Sequence, residues 1–104
     1  MTDDEALKVL LALGDPARFE ILRKVVEASG LSLSDLRSGK AASTTSHHIK
    51  LLVDAGVLQP TRDGKHIRYN VRQATLASLA EWASAQAELA TLNQITEYLL
   101  ANPG

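Results

Sequence analysis

Residues 42–70 read ASTTSHHIKLLVDAGVLQPTRDGKHIRYN, and the order of patterns inside them decides the fold. Thr45, His48/Ile49 and Leu52 recur at helical spacing, so a helix is expected over about 42–55 with those residues inward. Gly56 supplies the left-handed residue that stops a helix, after which Val57 and Leu58 re-enter the core. Two strands follow, over about 57–62 and 65–71. They meet at Asp63-Gly64, a two-residue connection read as accepting positive φ at both positions. Pro60 has no N–H to give and belongs at a sheet edge or on the non-bonded side of the first strand.

This unit sorts its chemistry by face. The helix leaves Ser43, Thr44, Ser46, His47 and Lys50 on its outer arc, and the hairpin carries Arg62, Lys65, His66 and Arg68. Hydroxyls, a histidine and a lysine on a helix, followed by a basic loop, suit a major groove and the neighbouring phosphates. Arg62 and Lys65 flank the turn and are the backbone contacts expected first, whereas Arg68 could equally pair with an acid. His47 and His48 are adjacent and point about 100° apart round a helix, so they do not chelate one ion. His48 reads as a half-buried spacer beneath the helix.

Upstream, Leu7, Leu10 and Leu11 mark a first helix over Asp4–Leu13, closed by Gly14. Asp15-Pro16 restarts the chain with an N-cap oxygen and a proline at the first helical position. That second helix should reach about Ala28, with Phe19, Leu22, Val25 and Val26 inward. Arg18 in DPAR reads as closing a helix end or a salt bridge. Ser32 and Asp35 resemble a capping pair for a short third helix, and a turn of only Gly39 to Ala41 then leads to the fourth. Downstream, residues 74–100 form one long helical pattern without Gly or Pro. Leu76, Leu79 and Ala83 continue one face; Trp82, Leu89, Leu92, Ile95 and Leu99 make another. The second stripe is more than 104 residues can cover, so it is expected to face the first helix of another copy. Trp82 belongs to that seam, with a small-molecule pocket between subunits as the lesser reading.

The whole is a mostly helical chain with a small β-hairpin, in the order α1-α2-α3-α4-β-β-α5. It is one winged helix-turn-helix domain over 1–104, dimerising through its first and last helices. Formal charge is −1, from 11 basic and 12 acidic residues. Residues 40–72 hold six bases (Lys40, Lys50, Arg62, Lys65, Arg68, Arg72) against Asp54 and Asp63, a local +4. Positive charge is thus gathered where counterion release from DNA would need it. There is no cysteine, which excludes disulfides and thiolate metal sites. The acidic start and short apolar runs lack the marks of a secretory signal or a membrane span, so a cytoplasmic protein is expected.

Three stretches carry a resemblance. LKVLLALGDPARFEILRKV is similar to the opening of ArsR-family winged-helix repressors, STTSHHIKLLVDAGVL to their recognition-helix stretch, and DGKHIRYNV to their wing. The resemblance spans about residues 5–72, in order and at the right spacing. It implies a homodimeric transcriptional repressor that reads an inverted repeat in double-stranded DNA. The chain departs from the family pattern at its sensing positions. Ser32-Leu33-Ser34 stands where metal-sensing members carry a cysteine pair, and Gln73 and Thr75 stand where others open the last helix with Asp-x-His. No cofactor and no metal site are expected, and serine hydroxyls are poor ligands for soft metals. Ala41-Ala42 replaces a Ser-Gln pair, losing an N-cap oxygen and an adenine-reading amide.

An enzyme is not indicated: no nucleophile–base–acid set and no phosphate-cradling glycine loop are present. The competing reading is a winged-helix protein-interaction module with weak or no specific DNA binding. The releasing input stays open among an unidentified small molecule, a protein effector and none.

Overall fold

The computed structural model describes residues 1–104. Its elements are α1 (Asp3–Leu13), α2 (Pro16–Glu27), α3 (Leu33–Leu36), α4 (Ala42–Asp54), β1 (Leu58–Asp63), β2 (His66–Val71) and α5 (Gln73–Ala101). The order matches the one read from sequence.

Local chemistry explains most boundaries. Thr2 and Glu5 exchange side-chain-to-backbone hydrogen bonds at 3.2 Å and open α1 as a capping box. Asp15 accepts from the N–H groups of Ala17 and Arg18, with Pro16 at the first position of α2. Ser32 and Asp35 make the expected reciprocal cap of α3. At the end of α4, Gly56 has φ +79°. Its N–H donates to the Val53 carbonyl, and the Val57 N–H to the Leu52 carbonyl. This is a Schellman motif, and it turns Val57 back onto Leu52, both fully buried.

The core gathers Val9 and Ala12 of α1, Ile21, Leu22 and Val25 of α2, and Leu36 of α3 around Ile49, Leu52, Val57 and Leu58. Leu76 and Leu79 of α5 pack against it half-buried. Thr45 is buried as expected. Phe19 and Val26 are not: they are 54% and 49% exposed. At about 100° per residue, the direction shared by Ile21, Leu22 and Val25 leaves Phe19 and Val26 together on a flank about 100° away. Ile21 takes the core position that the Phe19 reading assigned elsewhere.

Two further expectations shift. α3 ends at Leu36, so the turn into α4 runs over 37–41 and is longer than Gly39–Ala41. Ser38 at φ +51° and Gly39 at φ +77° reverse the chain there. In the hairpin, Asp63 pairs with His66, which moves the two-residue turn one position on, to Gly64-Lys65. Only Gly64 has positive φ, +59°. A glycine at the first central position is the type II′ pattern, which asks nothing unusual of the second residue.

The wing is anchored at its base. Tyr69 donates its N–H to the Leu31 carbonyl at 2.8 Å and accepts the Gly30 N–H at 3.1 Å. Its backbone polar groups therefore point away from β1, so Pro60, its partner in the register, loses no ladder bond. The Asn70 side chain also accepts from the Gly30 N–H, at 2.9 Å.

Past Trp82, α5 leaves the body of the molecule, and every residue from Ala83 onward is exposed. The molecule measures 70 × 23 × 23 Å as a result. α5 is not folded back on its own domain.

Candidate nucleic-acid interface

The Schellman turn sends the chain directly from α4 into β1, which sets the recognition helix and the wing side by side. Ser43, Thr44, Ser46, His47 and Lys50 are all exposed, while Thr45, Ile49 and Leu52 hold the helix to the core from its other side. Between α3, α4 and the wing lies an open groove of about 510 Å³. Ser46 enters it from α4, Lys65 and His66 from the wing tip, and Ser34 from α3. Ser34 is a groove residue that the sequence suggested only as a helix start and as a missing metal ligand. Its signal was its place one residue inside a capped helix whose partner is the recognition helix.

The cations divide into engaged and free. Arg68, read as a DNA contact, is taken up inside the domain. Its Nε donates to Asp63 at 2.9 Å and its Nη1 to the Gly30 carbonyl at 3.1 Å. It is a strut of the wing base. Lys50 meets Asp54 at 2.7 Å, an exposed pair one helical turn apart that water and phosphate can replace at little cost. Arg62 and Lys65 form no ion pair, nor do Lys40 and Arg72 at the two ends of the unit. Ala41 stands at the N-cap of α4 and makes no side-chain cap hydrogen bond, as the missing serine implied.

Behind the helix, His48 is half-buried and its Nδ1 lies 3.2 Å from Arg18 Nη1. Arg18 also donates to the Ala12 carbonyl at 2.6 Å and reaches the Leu11 carbonyl at 3.5 Å, closing the end of α1. The carboxyl of Asp15 is held below its ordinary range, chiefly by the Arg18 backbone N–H, with the Arg18 charge and the Ala17 N–H adding to it.

Far from the groove, the faces assigned to dimerisation are open. Leu7, Leu10 and Leu11 are 45–65% exposed on α1, and Leu89, Leu92, Ile95 and Leu99 are 52–60% exposed on α5. Trp82, half-buried, donates its indole N–H to Asp3 at 2.8 Å and docks α5 on α1.

Residues 13–61 match the helix-turn-helix domain family. The chain is 31% identical over 77 residues to a probable mercury resistance operon repressor of Streptomyces lividans; the match takes in 73% of this chain and 62% of that protein. It is 29% identical to an ArsR-like transcriptional regulator from Rhodococcus sp. RHA1, superposing with a TM-score of 0.71 over 88% of this chain and 92% of the other. The chain is similar to ArsR-type winged-helix regulators. A homodimeric winged helix-turn-helix DNA-binding domain from Mycobacterium bovis, 20% identical, shares the fold at a TM-score of 0.66 over 85% of this chain and 88% of its own. The fold and family are those of DNA-binding transcriptional regulators and not of enzymes. Ser32 caps α3 and Ser34 lies in its first turn, and no three His, Cys, Asp or Glu side chains converge within the chain. No helix is long and apolar enough to cross a membrane.

Proposed function

We propose that this chain is an ArsR-family homodimeric, sequence-specific repressor that binds an inverted-repeat operator in double-stranded DNA. The observation that carries the reading is the shared groove, in which Ser46 of the recognition helix and Lys65 and His66 of the wing stand together, with Arg62 free on the same hairpin. Ser43, Thr44, Ser46 and His47 read base edges or phosphate oxygens, and Lys50 exchanges Asp54 for a phosphate. Two copies joined through α1 and α5 would present their recognition helices about 34–36 Å apart, one helical turn of DNA. The apolar faces left open on both helices support that pairing.

Release does not run through a thiolate pair, because the chain has no cysteine. The name of the Streptomyces relative supports repression as the direction of control.

Sequencing the fragments that the purified protein retains from sheared genomic DNA at about 150 mM salt tests the proposal. Fragments sharing an inverted repeat with half-sites one turn apart are expected, together with a dimer mass in solution. A monomer that retains no common sequence would replace the repressor with a protein-interaction module.

A further inference from the structure

Arg18 has no place in the DNA-reading set, yet it makes the one side-chain hydrogen bond that ties α4 to another helix. The remaining side-chain bond of α4 is internal, Lys50 to Asp54. Everything else holding α4 from behind is apolar burial of Ile49 and Leu52 and the close packing of Thr45. Such burial decides which face of the helix turns inward, but it is not directional and sets the finer rotation about the helix axis less sharply than a hydrogen bond does. The Arg18 fork is directional. Nε and Nη2 lie on the Ala12 and Leu11 carbonyls, which end α1 and have no helical partners of their own. Nη1 then projects to His48 Nδ1 at 3.2 Å. A guanidinium can only donate, so Nδ1 accepts and the ring proton sits on Nε2. Asp15, capping α2 through the Arg18 N–H at 3.1 Å, fixes where the fork starts.

We infer that Arg18 is a positioning residue for DNA reading: through His48 it sets the rotation of α4 about its axis, referenced to the end of α1. The inference rests on the DNA-binding reading above. Side-chain tips lie about 5–6 Å from a helix axis, so a 20° rotation moves them about 2 Å. Hydrogen bonds to base edges do not survive that displacement. Attraction of Lys50, Arg62 and Lys65 to phosphates does, because it falls off slowly with distance. The fork therefore governs discrimination between sequences and leaves general affinity for DNA alone. The same α1 exposes Leu7, Leu10 and Leu11 at the proposed seam, so each reading helix is referenced to the element that sets the spacing between the two.

The test compares affinity for a duplex that the wild-type protein has selected from a random pool with affinity for a scrambled duplex of the same length. His48→Leu keeps the packing volume but removes the acceptor. His48→Asn puts an amide oxygen close to the place of Nδ1, and Arg18→Lys keeps the charge but cannot span all three acceptors. His48→Leu and Arg18→Lys are each expected to lower the ratio about tenfold, and the double variant no further, since both break one link. His48→Asn should stay within about twofold of wild type, with scrambled-duplex affinity constant throughout. Urea unfolding of each variant separates misfolding from misaiming; if Arg18→Lys does not fold, the two His48 variants decide. An unchanged ratio in folded His48→Leu overturns the inference, as does a loss in His48→Asn equal to that in His48→Leu. A wild-type protein that selects no duplex removes the DNA reading itself, and it does so before any variant is made.

Discussion

Replacing Lys65 by glutamine removes one positive charge from each wing tip and should flatten the salt dependence of DNA binding by a calculable amount. Lys65 is the second residue of the Gly64-Lys65 turn, exposed, without an ion pair, and it lines the groove shared with Ser46. A dimer would bring two such lysines to two phosphates. Each phosphate contact contributes about 0.9 to the slope of log K against log salt, so the slope should fall by about 1.8. Carried from 1 M salt, where the term vanishes, that is a loss of about 30-fold at 150 mM and about 200-fold at 50 mM. Fluorescence anisotropy of a labelled operator duplex, titrated from 50 to about 400 mM salt, gives both slopes. Parallel lines for wild type and Lys65→Gln would refute the placement of the wing tip on the backbone. Arg68→Gln is the internal control. Its guanidinium serves Asp63 and Gly30, so the slope should hold while the urea midpoint falls.

Three further outcomes follow from the packing and the caps. Leu92→Glu should give a monomer by light scattering, because two leucine burials of about 1.5–3 kcal/mol each are lost across a symmetric seam; an unchanged dimer mass would move the interface elsewhere. Gly56→Ala should cost about 1–2 kcal/mol in urea unfolding. The φ of +79° sets that cost, since an added Cβ would meet Thr75 at an ordinary 3.7 Å, and a change of under 0.5 kcal/mol would dismiss the left-handed stop. Acid should destabilise the fold. Glu5, Asp15 and Asp35 all have folded-state carboxyls held below their ordinary range, chiefly by backbone N–H groups of Thr2, Arg18 and Ser32 respectively. Their contribution is complete above the unfolded carboxylate range, near pH 4, and is lost as pH falls through the lower folded values. Asp15→Asn keeps a capping oxygen without the charge and should weaken that acid dependence, which pH-resolved thermal melts would show.

Much of this was legible because several signals agreed at each boundary. Pro16 after Asp15, the Ser32–Asp35 pair and Gly56 before Val57 each combine a backbone preference with a hydrogen-bonding group, and all three elements start or stop where those residues stand. The exposed arc of α4 was legible for the same reason, since Thr45, Ile49 and Leu52 leave only one way to turn the helix. The second helix was ambiguous because it is apolar on more than one side. Phe19 and Ile21 both satisfy a helical pattern, and only the packing of α1 and α4 decides between them. Asp63-Gly64-Lys65 contains two overlapping two-residue turns, and the choice depends on the pairing of Asp63 with His66, a long-range matter of register. Arg68 and Arg18 were legible in part. An acid partner for Arg68 and a helix end for Arg18 were among the readings, and Asp63 and the end of α1 fill those roles; the further bonds to the Gly30 carbonyl and to His48 depend on long-range packing that leaves no mark in a sequence.

The double fastening of Tyr69 to Leu31 and Gly30 divides the wing into two mechanical parts. Below it, the base, which Arg68 also ties to Gly30, moves only with the loop that opens α3; above it, the tip from Arg62 to Ile67 acts as a lever. Amide protons of the base should exchange slowly with solvent and those of the tip quickly. A hairpin lengthened by one residue pair beyond Asp63 and His66 would therefore extend the reach along the duplex while leaving the core undisturbed, which makes the tip the natural place to graft a different footprint.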